Sequence, residues 1–299
     1  MNISAFGVTH IGCSSSRENQ DTFFVGDGVY GVFDGHGGHG LAAAEAARDC
    51  LSSPAATFAE AEAAVLSTKG GTTASVVRID KDTGAIEVSH VGDTEVRYYD
   101  LGQIEGQSQS GVNLTVDHSP LSKDEFLRIR AREGPKGSFV FARAYRYMPE
   151  RFVFVEDAAA DRGWRVDDAY GNFYSTVRKE WAAYVSNSVG DKLAVTRALG
   201  DHHMKPCGVI AEPSVVTAPP LTSTESPRAV VIASDGVWDV MQYAEIGEIV
   251  RRTDLVGNAE AAAHAILGAT LEKQRELLGA TGGDNATVIV VYVAKAEAA

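Results

Sequence analysis

The sequence is poor in cysteine and has no long apolar segment. No apolar run among the 299 residues approaches the roughly 18 residues that a transmembrane helix needs. The stretch from Met1 to His10 lacks a basic region and a long apolar core, and residue 2 is Asn. We therefore expect no secretory signal, no N-myristoylation and no membrane partner.

The three cysteines, Cys13, Cys50 and Cys207, lie far apart and form no CxxC pair. This spacing predicts neither a disulfide framework nor a zinc site. A reducing setting is the expected one, which means the cytoplasm or the nucleus, and the sequence does not distinguish between them.

Positive charge is also scarce. The chain has 27 Lys and Arg residues against 40 Asp and Glu residues, a formal net charge of -13. An acidic chain of this size lacks the electrostatic footprint of a nucleic-acid-binding protein, so we expect no nucleic-acid partner. Acidity suits a protein that binds cations, but solubility alone would account for the total. Only the positions of particular carboxylates can favour metal binding.

Short apolar strands and pairs of helices alternate along the chain. Patterning predicts strands over residues 30–33, 73–79, 86–91, 95–99, 229–233 and 287–293. It predicts helices over residues 41–51, 55–66, 123–132, 245–252 and 259–278. Ser122 and Glu125 have the spacing of a capping box, and Asn258 and Gly279 are the expected caps of the last helix.

Strands in hairpin groups between helix pairs are typical of an α+β fold, because they leave no βαβ alternation. We expect one domain over residues 1–299, with two antiparallel sheets covered by helices. Residues 134–191 fit this pattern poorly and are rich in Arg and aromatic residues. We interpret them as an enlarged insertion, which either recognises a phosphoprotein or is a packed surface elaboration.

Three aspartates share one local setting. Asp34 and Asp235 each follow an apolar strand and precede glycine, and Asp284 follows two glycines and precedes an apolar strand. For any single one of them a turn is the ordinary explanation, since Asp-Gly is a common turn dipeptide. Three such carboxylates on rigid strand ends favour a site for a hard cation such as Mg²⁺ or Mn²⁺.

Eight motifs then appear in register between Arg17 and Val293. They are residues 19–21 (NQD), 32–39 (VFDGHGGH), 70–74 (GGTTA), 90–93 (HVGD), 114–120 (LTVDHSP), 196–201 (TRALGD), 234–239 (SDGVWD) and 283–287 (GDNAT). Together they resemble the PP2C family, the metal-dependent protein serine/threonine phosphatases also called PPM phosphatases. The resemblance implies a central β-sandwich flanked by pairs of α-helices, a four-layer αββα arrangement.

The same resemblance implies a centre of two Mn²⁺ or Mg²⁺ ions. Asp34 would bridge both ions, and the carbonyl of Gly35 would bind one of them. The other ligands would be Asp235 and Asp284, while Asp21 would hold metal-bound water. Asp117 matches a position that helps to bind a weaker third ion.

The implied reaction is hydrolysis of phosphoserine or phosphothreonine in proteins. A metal-bridging hydroxide attacks phosphorus directly, without a phosphoenzyme. His36 is the expected general acid, and Arg17 is expected to bind the phosphate. The alternatives without a catalytic role are that His36 is simply exposed in a glycine turn and that Arg17 is a surface residue in a serine-rich loop.

Two departures from the family pattern keep other functions open. Gln20 stands where many members carry Glu, and Arg17 is four residues before Asp21, where the family often has five. The alternatives are a catalytically weak regulatory or binding protein on the same fold and a hydrolase of small phosphate esters. The expected partners are phosphoprotein substrates, and a monomer is expected.

Overall fold

The computed structural model describes most of the chain. The described residues are 1–16, 18–102, 110–132, 138–143, 146–147, 153–167, 181–218, 220, 226–252 and 254–296, with the backbone alone for 138–143, 146–147 and 181–182. No helix within these ranges is both long enough and apolar enough to cross a membrane.

Six helices are described. They are α1 (Gly40–Leu51), α2 (Phe58–Ala64), α3 (Lys123–Arg130), α4 (Asp235–Trp238), α5 (Tyr243–Arg251) and α6 (Ala259–Leu278). The strands of the first half are β1 (Asn2–His10), β2 (Asp21–Val25), β3 (Val29–His36), β4 (Gly71–Thr72), β5 (Ala74–Ile79), β6 (Ile86–Val91), β7 (Glu95–Asp100) and β8 (Val112–Asn113). Those of the second half are β9 (Ser138–Arg143), β10 (Arg146–Tyr147), β11 (Phe154–Glu156), β12 (Trp164–Val166), β13 (Trp181–Ser186), β14 (Lys192–Leu193), β15 (Leu199–Gly200), β16 (Ser214–Ala218), β17 (Arg228–Ala233) and β18 (Ala286–Ala294).

Two antiparallel sheets form the centre of the fold. One has the strand order β1-β18-β17-β7-β8, and the other has the order β15-β4-β3-β5-β6-β16 with β2 paired to β3. Strand β18 shows how the layers form. Its residues Ile289 and Val291 point into the core between the sheets, whereas Val288 and Val290 pack beneath α5 and α6. Because both faces are covered, the strand is apolar throughout instead of alternating.

Helices cover the outer face of each sheet. Ala43, Ala44 and Ala47 of α1 are fully buried against the sheet that contains β3, and their small side chains let the helix lie close to it. The long helix α6 and the shorter α5 cover the other sheet. The predicted α+β sandwich with helices on both outer faces is confirmed.

The helix caps follow the prediction at one helix and depart from it at another. At α6 the Asn258 side chain accepts a hydrogen bond from Ala261, and Gly279 ends the helix at φ 78°. At α3, however, Ser122 makes no capping hydrogen bond. Glu125 turns inward and is 2% exposed, because Arg128, Arg197 and Thr196 donate to it there. The capping box predicted for α3 is therefore wrong.

The segment predicted as an insertion forms sheet structure where it is described. Strands β9, β10, β13 and β14 make a sheet of order β10-β9-β13-β14, and β11 pairs with β12. Val153, Phe154 and Val185 share an apolar cluster with Phe126 and Ile129 of α3. This part of the chain thus packs on α3 and stands beside the sandwich.

Candidate metal centre and active site

Four of the predicted aspartates lie at the same edge of the sandwich. Asp21 and Asp34 face each other across the antiparallel pair of β2 and β3. Asp235 follows β17 as the first residue of α4, and Asp284 precedes β18. Because β17 and β18 are antiparallel neighbours, the end of one and the start of the other meet at one edge.

Ser234 joins the two sheets at this edge. Its hydroxyl donates to Asp21 Oδ2 over 2.7 Å and accepts from the backbone N–H of Thr287 over 3.1 Å. Asp21 is only 4% exposed. Its other carboxylate oxygen, Oδ1, is buried without a hydrogen-bond partner among the described residues. An oxygen left in this way calls for a ligand that the protein itself does not supply.

The cluster carries more negative charge than its surroundings balance. Burial, followed by the nearby charges of Asp21, Asp235 and Asp284, raises the pKa of Asp34 well above its usual range. Burial also raises the pKa of Asp21 to about 6, against a hydrogen bond from Ser234 that lowers it. Both carboxylates are therefore harder to ionise than usual when no cation is present, and a bound cation would favour their charged forms.

Gly35 lies where the backbone of one turn meets another. A Cβ atom there would lie 2.3 Å from the carbonyl oxygen of Gly40, so only glycine fits. Its N–H donates to the carbonyl of Gln20 over 3.1 Å, and the residue lines the cleft. Because this buried residue lines the cleft, its carbonyl is the candidate ligand that the family resemblance implies.

The donor set fits a hard divalent cation. The available atoms are carboxylate and carbonyl oxygens, and Asp21 adds a buried oxygen that lacks a partner. Within the described ranges, no group of three or more His, Cys, Asp or Glu side chains is placed so that it could hold a metal ion. Mg²⁺ and Mn²⁺ keep several water ligands, so they need fewer protein ligands than structural zinc does.

His36 is paired with an aspartate that the sequence reasoning left without a role. The ring Nε2 donates to Asp201 Oδ2 over 2.6 Å. Asp201 adopts the left-handed conformation, φ 49°, and its N–H donates to the carbonyl of Gly70. A Cβ atom on Gly71 would lie 2.0 Å from Asp201 Oδ2, so this glycine makes room for the carboxylate.

Asp117 lies beside a second group of carboxylates. Burial, then the charges of Asp117 and Asp239, raise the pKa of Asp93 to about 7. The Ser119 hydroxyl donates to Asp117 Oδ2 over 2.9 Å. Asp93 lines the cleft, and its charge also acts on Asp34, so the two acidic groups are adjacent.

The cleft at this edge has a volume of about 550 Å³. Its lining includes Asp34, His36, Asp235 and Asp284. It also includes Tyr184 from β13 and Lys192 from β14, together with Lys69 and His203. The cleft therefore combines acidic groups with lysines.

Arg17, the predicted phosphate-binding residue, lies outside the described residues. Its neighbour Ser16 lines the cleft. Sequence reasoning gave no role to Asp93 or Asp201, although both stand in motifs that carry the family resemblance. Gln274 donates hydrogen bonds to the carbonyls of Gly236 and Asp284, next to and at the predicted ligands. It lies within a helix, in no local motif that would have indicated this role.

Comparison with known families agrees with this architecture. A family model described as "Protein phosphatase 2C" matches residues 43–138 and 165–276. The chain belongs to the protein phosphatase 2C family. The residues matched by the family model include Asp117 and Asp235. Asp34 and Asp284 lie outside the matched ranges, so the family model says nothing about these two positions.

Curated relatives of this protein phosphatase 2C chain are found in plants and fungi. "Probable protein phosphatase 2C 64" of rice is 26% identical over 314 residues, which cover 92% of this chain and 62% of the relative. "Protein phosphatase 2C homolog 3" of Schizosaccharomyces pombe is 33% identical over 108 residues, 34% of this chain and 26% of the relative. The chain thus spans less than two thirds of the length of these relatives.

Solved structures show the same fold. A serine-threonine phosphatase 2C from Toxoplasma gondii aligns with a TM-score of 0.67 at 22% identity, covering 97% of this chain and 94% of that one. The catalytic domain of the phosphatase PstP, solved with two manganese ions, aligns with a TM-score of 0.55 at 16% identity, covering 98% and 99%. At these identities the likeness concerns the fold.

Proposed function

We propose that this chain hydrolyses phosphoserine and phosphothreonine in proteins and that it requires Mn²⁺ or Mg²⁺. The observation that carries the proposal is the cluster of Asp21, Asp34, Asp235 and Asp284 at the base of a cleft, with raised pKa values for Asp21 and Asp34. Membership of the protein phosphatase 2C family supports it.

The residues that would hold two cations are Asp34, the carbonyl of Gly35, Asp235 and Asp284, with Asp21 oriented by Ser234. When bound, the cations would supply an activated water and offset the negative charge that builds up on the phosphoryl group. Asp117, beside Asp93 and Asp239, is the proposed ligand of a weaker third ion.

His36 would donate a proton to the departing serine or threonine oxygen. An alkoxide is a poor leaving group, so a positioned acid lowers the barrier. The bond to Asp201 fixes the ring orientation and commits Nε2, which leaves Nδ1 as the nitrogen that can deliver the proton. Arg17 is the proposed cation for the phosphate, and the water attacks phosphorus directly, so no phosphoenzyme forms.

The walls of the cleft favour a protein substrate over a small ester. Tyr184 lies near the end of the segment predicted as an insertion, Lys192 directly follows that segment, and both line the cleft. An aromatic ring and a cation along the walls can contact residues on either side of a phosphoresidue. This placement favours a substrate-recognition role for the end of that segment.

The test is hydrolysis of a phosphothreonine peptide by the full chain with Mn²⁺, with Mg²⁺ and with EDTA, beside Asp235→Asn. Turnover that needs the metal and is lost in the variant is the expected result. Absence of turnover from folded, Mn²⁺-loaded protein would overturn the proposal and indicate a binding protein on the phosphatase fold. Faster turnover of small esters than of phosphopeptides would overturn the protein-substrate part alone.

A further inference from the structure

A single buried glutamine links three chain segments behind the acidic cluster. Gln274 lies on α6, and its side chain is 0% exposed. Glutamine is seldom buried in this way, because its amide must find partners for two donors and an acceptor. The contacts of this amide are therefore informative.

All of its partners are backbone groups from other segments. Nε2 donates to the carbonyl of Gly236 over 2.9 Å and to the carbonyl of Asp284 over 3.0 Å. Oε1 accepts from the N–H of Cys13 over 2.8 Å. Gly236 directly follows Asp235, so the amide holds the backbone of both loops that carry these two aspartates.

The surrounding glycines leave no room for a different arrangement. A Cβ atom on Gly283 would lie 2.4 Å from Gln274 Oε1, and one on Gly12 would lie 1.7 Å from the carbonyl oxygen of Asp284. A Cβ atom on Gly236 would lie 1.8 Å from the carbonyl oxygen of Asn285. The segments pack backbone against backbone around the amide, and the N–H of Gly283 also donates to the carbonyl of Cys13 over 2.8 Å.

Like-charged carboxylates repel, so a loop that carries one of them moves outward unless its backbone is anchored. Helix α6 packs against the sheet of β1 and β18 and supplies a fixed support for such an anchor. We propose that Gln274 is a positioning residue of the metal centre, which sets the separation of Asp235 and Asp284 through their backbone. The inference rests on the proposed function and deepens it.

The experiment measures Mn²⁺ affinity, with no substrate present. The metal-free full chain is titrated with Mn²⁺, and free Mn²⁺ is counted by its electron paramagnetic resonance signal. Gln274→Met keeps a long, flexible side chain but removes all three hydrogen bonds. Residues that orient metal ligands typically affect affinity by about 10–100-fold, so we expect the Kd of the variant to rise by at least about tenfold.

Thr270→Val is the matched control. Thr270 lies one turn earlier on α6, is equally buried, and donates only to the carbonyl of Ile266 in its own helix. The variant loses a buried polar contact that has no path to the metal loops. We expect its Kd for Mn²⁺ to stay within about twofold of the unsubstituted chain, since no metal-orienting contact changes. Urea denaturation of both metal-free variants gives their stability losses for comparison.

A Kd unchanged in Gln274→Met would overturn the inference while leaving the proposed metal site intact. An equal loss of affinity in Thr270→Val would also overturn it, since the effect would then be a general one of stability. Absence of Mn²⁺ binding by the unsubstituted chain would overturn both proposals. If Gln274→Met does not fold, Gln274→Leu also removes all three hydrogen bonds without adding a charge, and the same loss is expected.

Discussion

His36 Nε2 lies 2.6 Å from Asp201 Oδ2, although 165 residues separate the two along the chain. The pair joins the end of β3 to the turn after β15, at the wall of the cleft. Asp201 lines the same cleft as Asp34, Asp235 and Asp284, but its carboxylate bonds to the ring. Its proposed task is to position the acid, whereas the other three are the proposed cation ligands.

Replacing Asp201 by Asn is expected to slow the reaction most for substrates whose leaving group needs a proton. The variant loses the carboxylate charge that orients His36 and stabilises its protonated form, so we expect kcat for a phosphothreonine peptide to fall by about 100-fold. With p-nitrophenyl phosphate the fall should be far smaller, because nitrophenolate departs without a proton. The measurement is kcat for both substrates at saturating Mn²⁺.

The control for this prediction is His36→Gln. It should show the same preference for p-nitrophenyl phosphate, and Asp201→Asn should cost little more when added to it, because both changes remove one function. An equal loss with both substrates would contradict a role in proton transfer.

Asp235→Asn is expected to have opposite effects on the metal-free and the metal-loaded chain. Removing one charge from the crowded cluster relieves repulsion, so the melting temperature without metal should rise. The increase in melting temperature that Mn²⁺ produces should be smaller in the variant than in the unsubstituted chain, because a proposed metal ligand has been removed. Thermal unfolding with EDTA and with Mn²⁺ tests both, and Asp82→Asn, an exposed turn residue, is the control. A Mn²⁺ response equal to that of the unsubstituted chain would exclude Asp235 as a ligand.

Glu125 should govern stability in acid. Burial would raise its pKa, but hydrogen bonds from Arg197 and Arg128 outweigh burial and lower the pKa to about 2, from an ordinary 4.5. A depressed pKa means that the carboxylate stabilises the fold above about pH 4.5 and that this contribution is lost as the pH falls towards 2.

Glu125→Gln leaves two guanidinium groups without their carboxylate, so we expect a loss of about 3 kcal/mol in the free energy of unfolding at pH 7. The difference in free energy of unfolding between the variant and the unsubstituted chain should become smaller as the pH falls from 4.5 to 2. Urea denaturation across this pH range measures that difference. Glu60→Gln, which removes an exposed charge from the capping box of α2 but keeps an acceptor for Thr57, should cost less. A difference that does not vary with pH would contradict the assignment.

Lys69 should favour substrates with acidic flanking residues. It is exposed, lines the cleft and directly precedes Gly70, in a left-handed conformation with φ 58°. Lys69→Ala should raise KM for a phosphopeptide with flanking aspartates by about threefold, the size expected of an exposed charge pair. High salt should reduce the effect, and Lys81→Ala, which breaks an ion pair with Asp27, is the control. An equal change with a neutral peptide would contradict this role.

The central strands could be predicted because burial on both faces makes them continuous apolar runs. Strands β17 and β18 are examples. Strand β6, Ile86–Val91, was predicted at its observed bounds although it also holds polar residues. Strands β1 and β16 were missed. Each lies at the edge of a sheet with partly exposed residues, such as Val215 at 56% exposure, so its pattern is weak.

In the candidate site, too, local sequence patterns predicted some features and the tertiary structure decided others. Asp34, Gly35, Asp235 and Asp284 could be found because each stands in a short local pattern of strand end and glycine, and the family motifs gave them roles. Their convergence at one sheet edge follows from strand pairing, which no local pattern contains.

By itself the sequence determined the α+β class, the acidic surface, the buried strands and the aspartates suited to a hard cation. Those properties depend on composition and on neighbours within a few residues. Only the tertiary structure decided that Asp201 meets His36, that Glu125 turns inward to two arginines, and that Gln274 ties the loops of Asp235 and Asp284 together. Each of these contacts joins groups distant in sequence, and the packing of the layers alone brings them within hydrogen-bond distance.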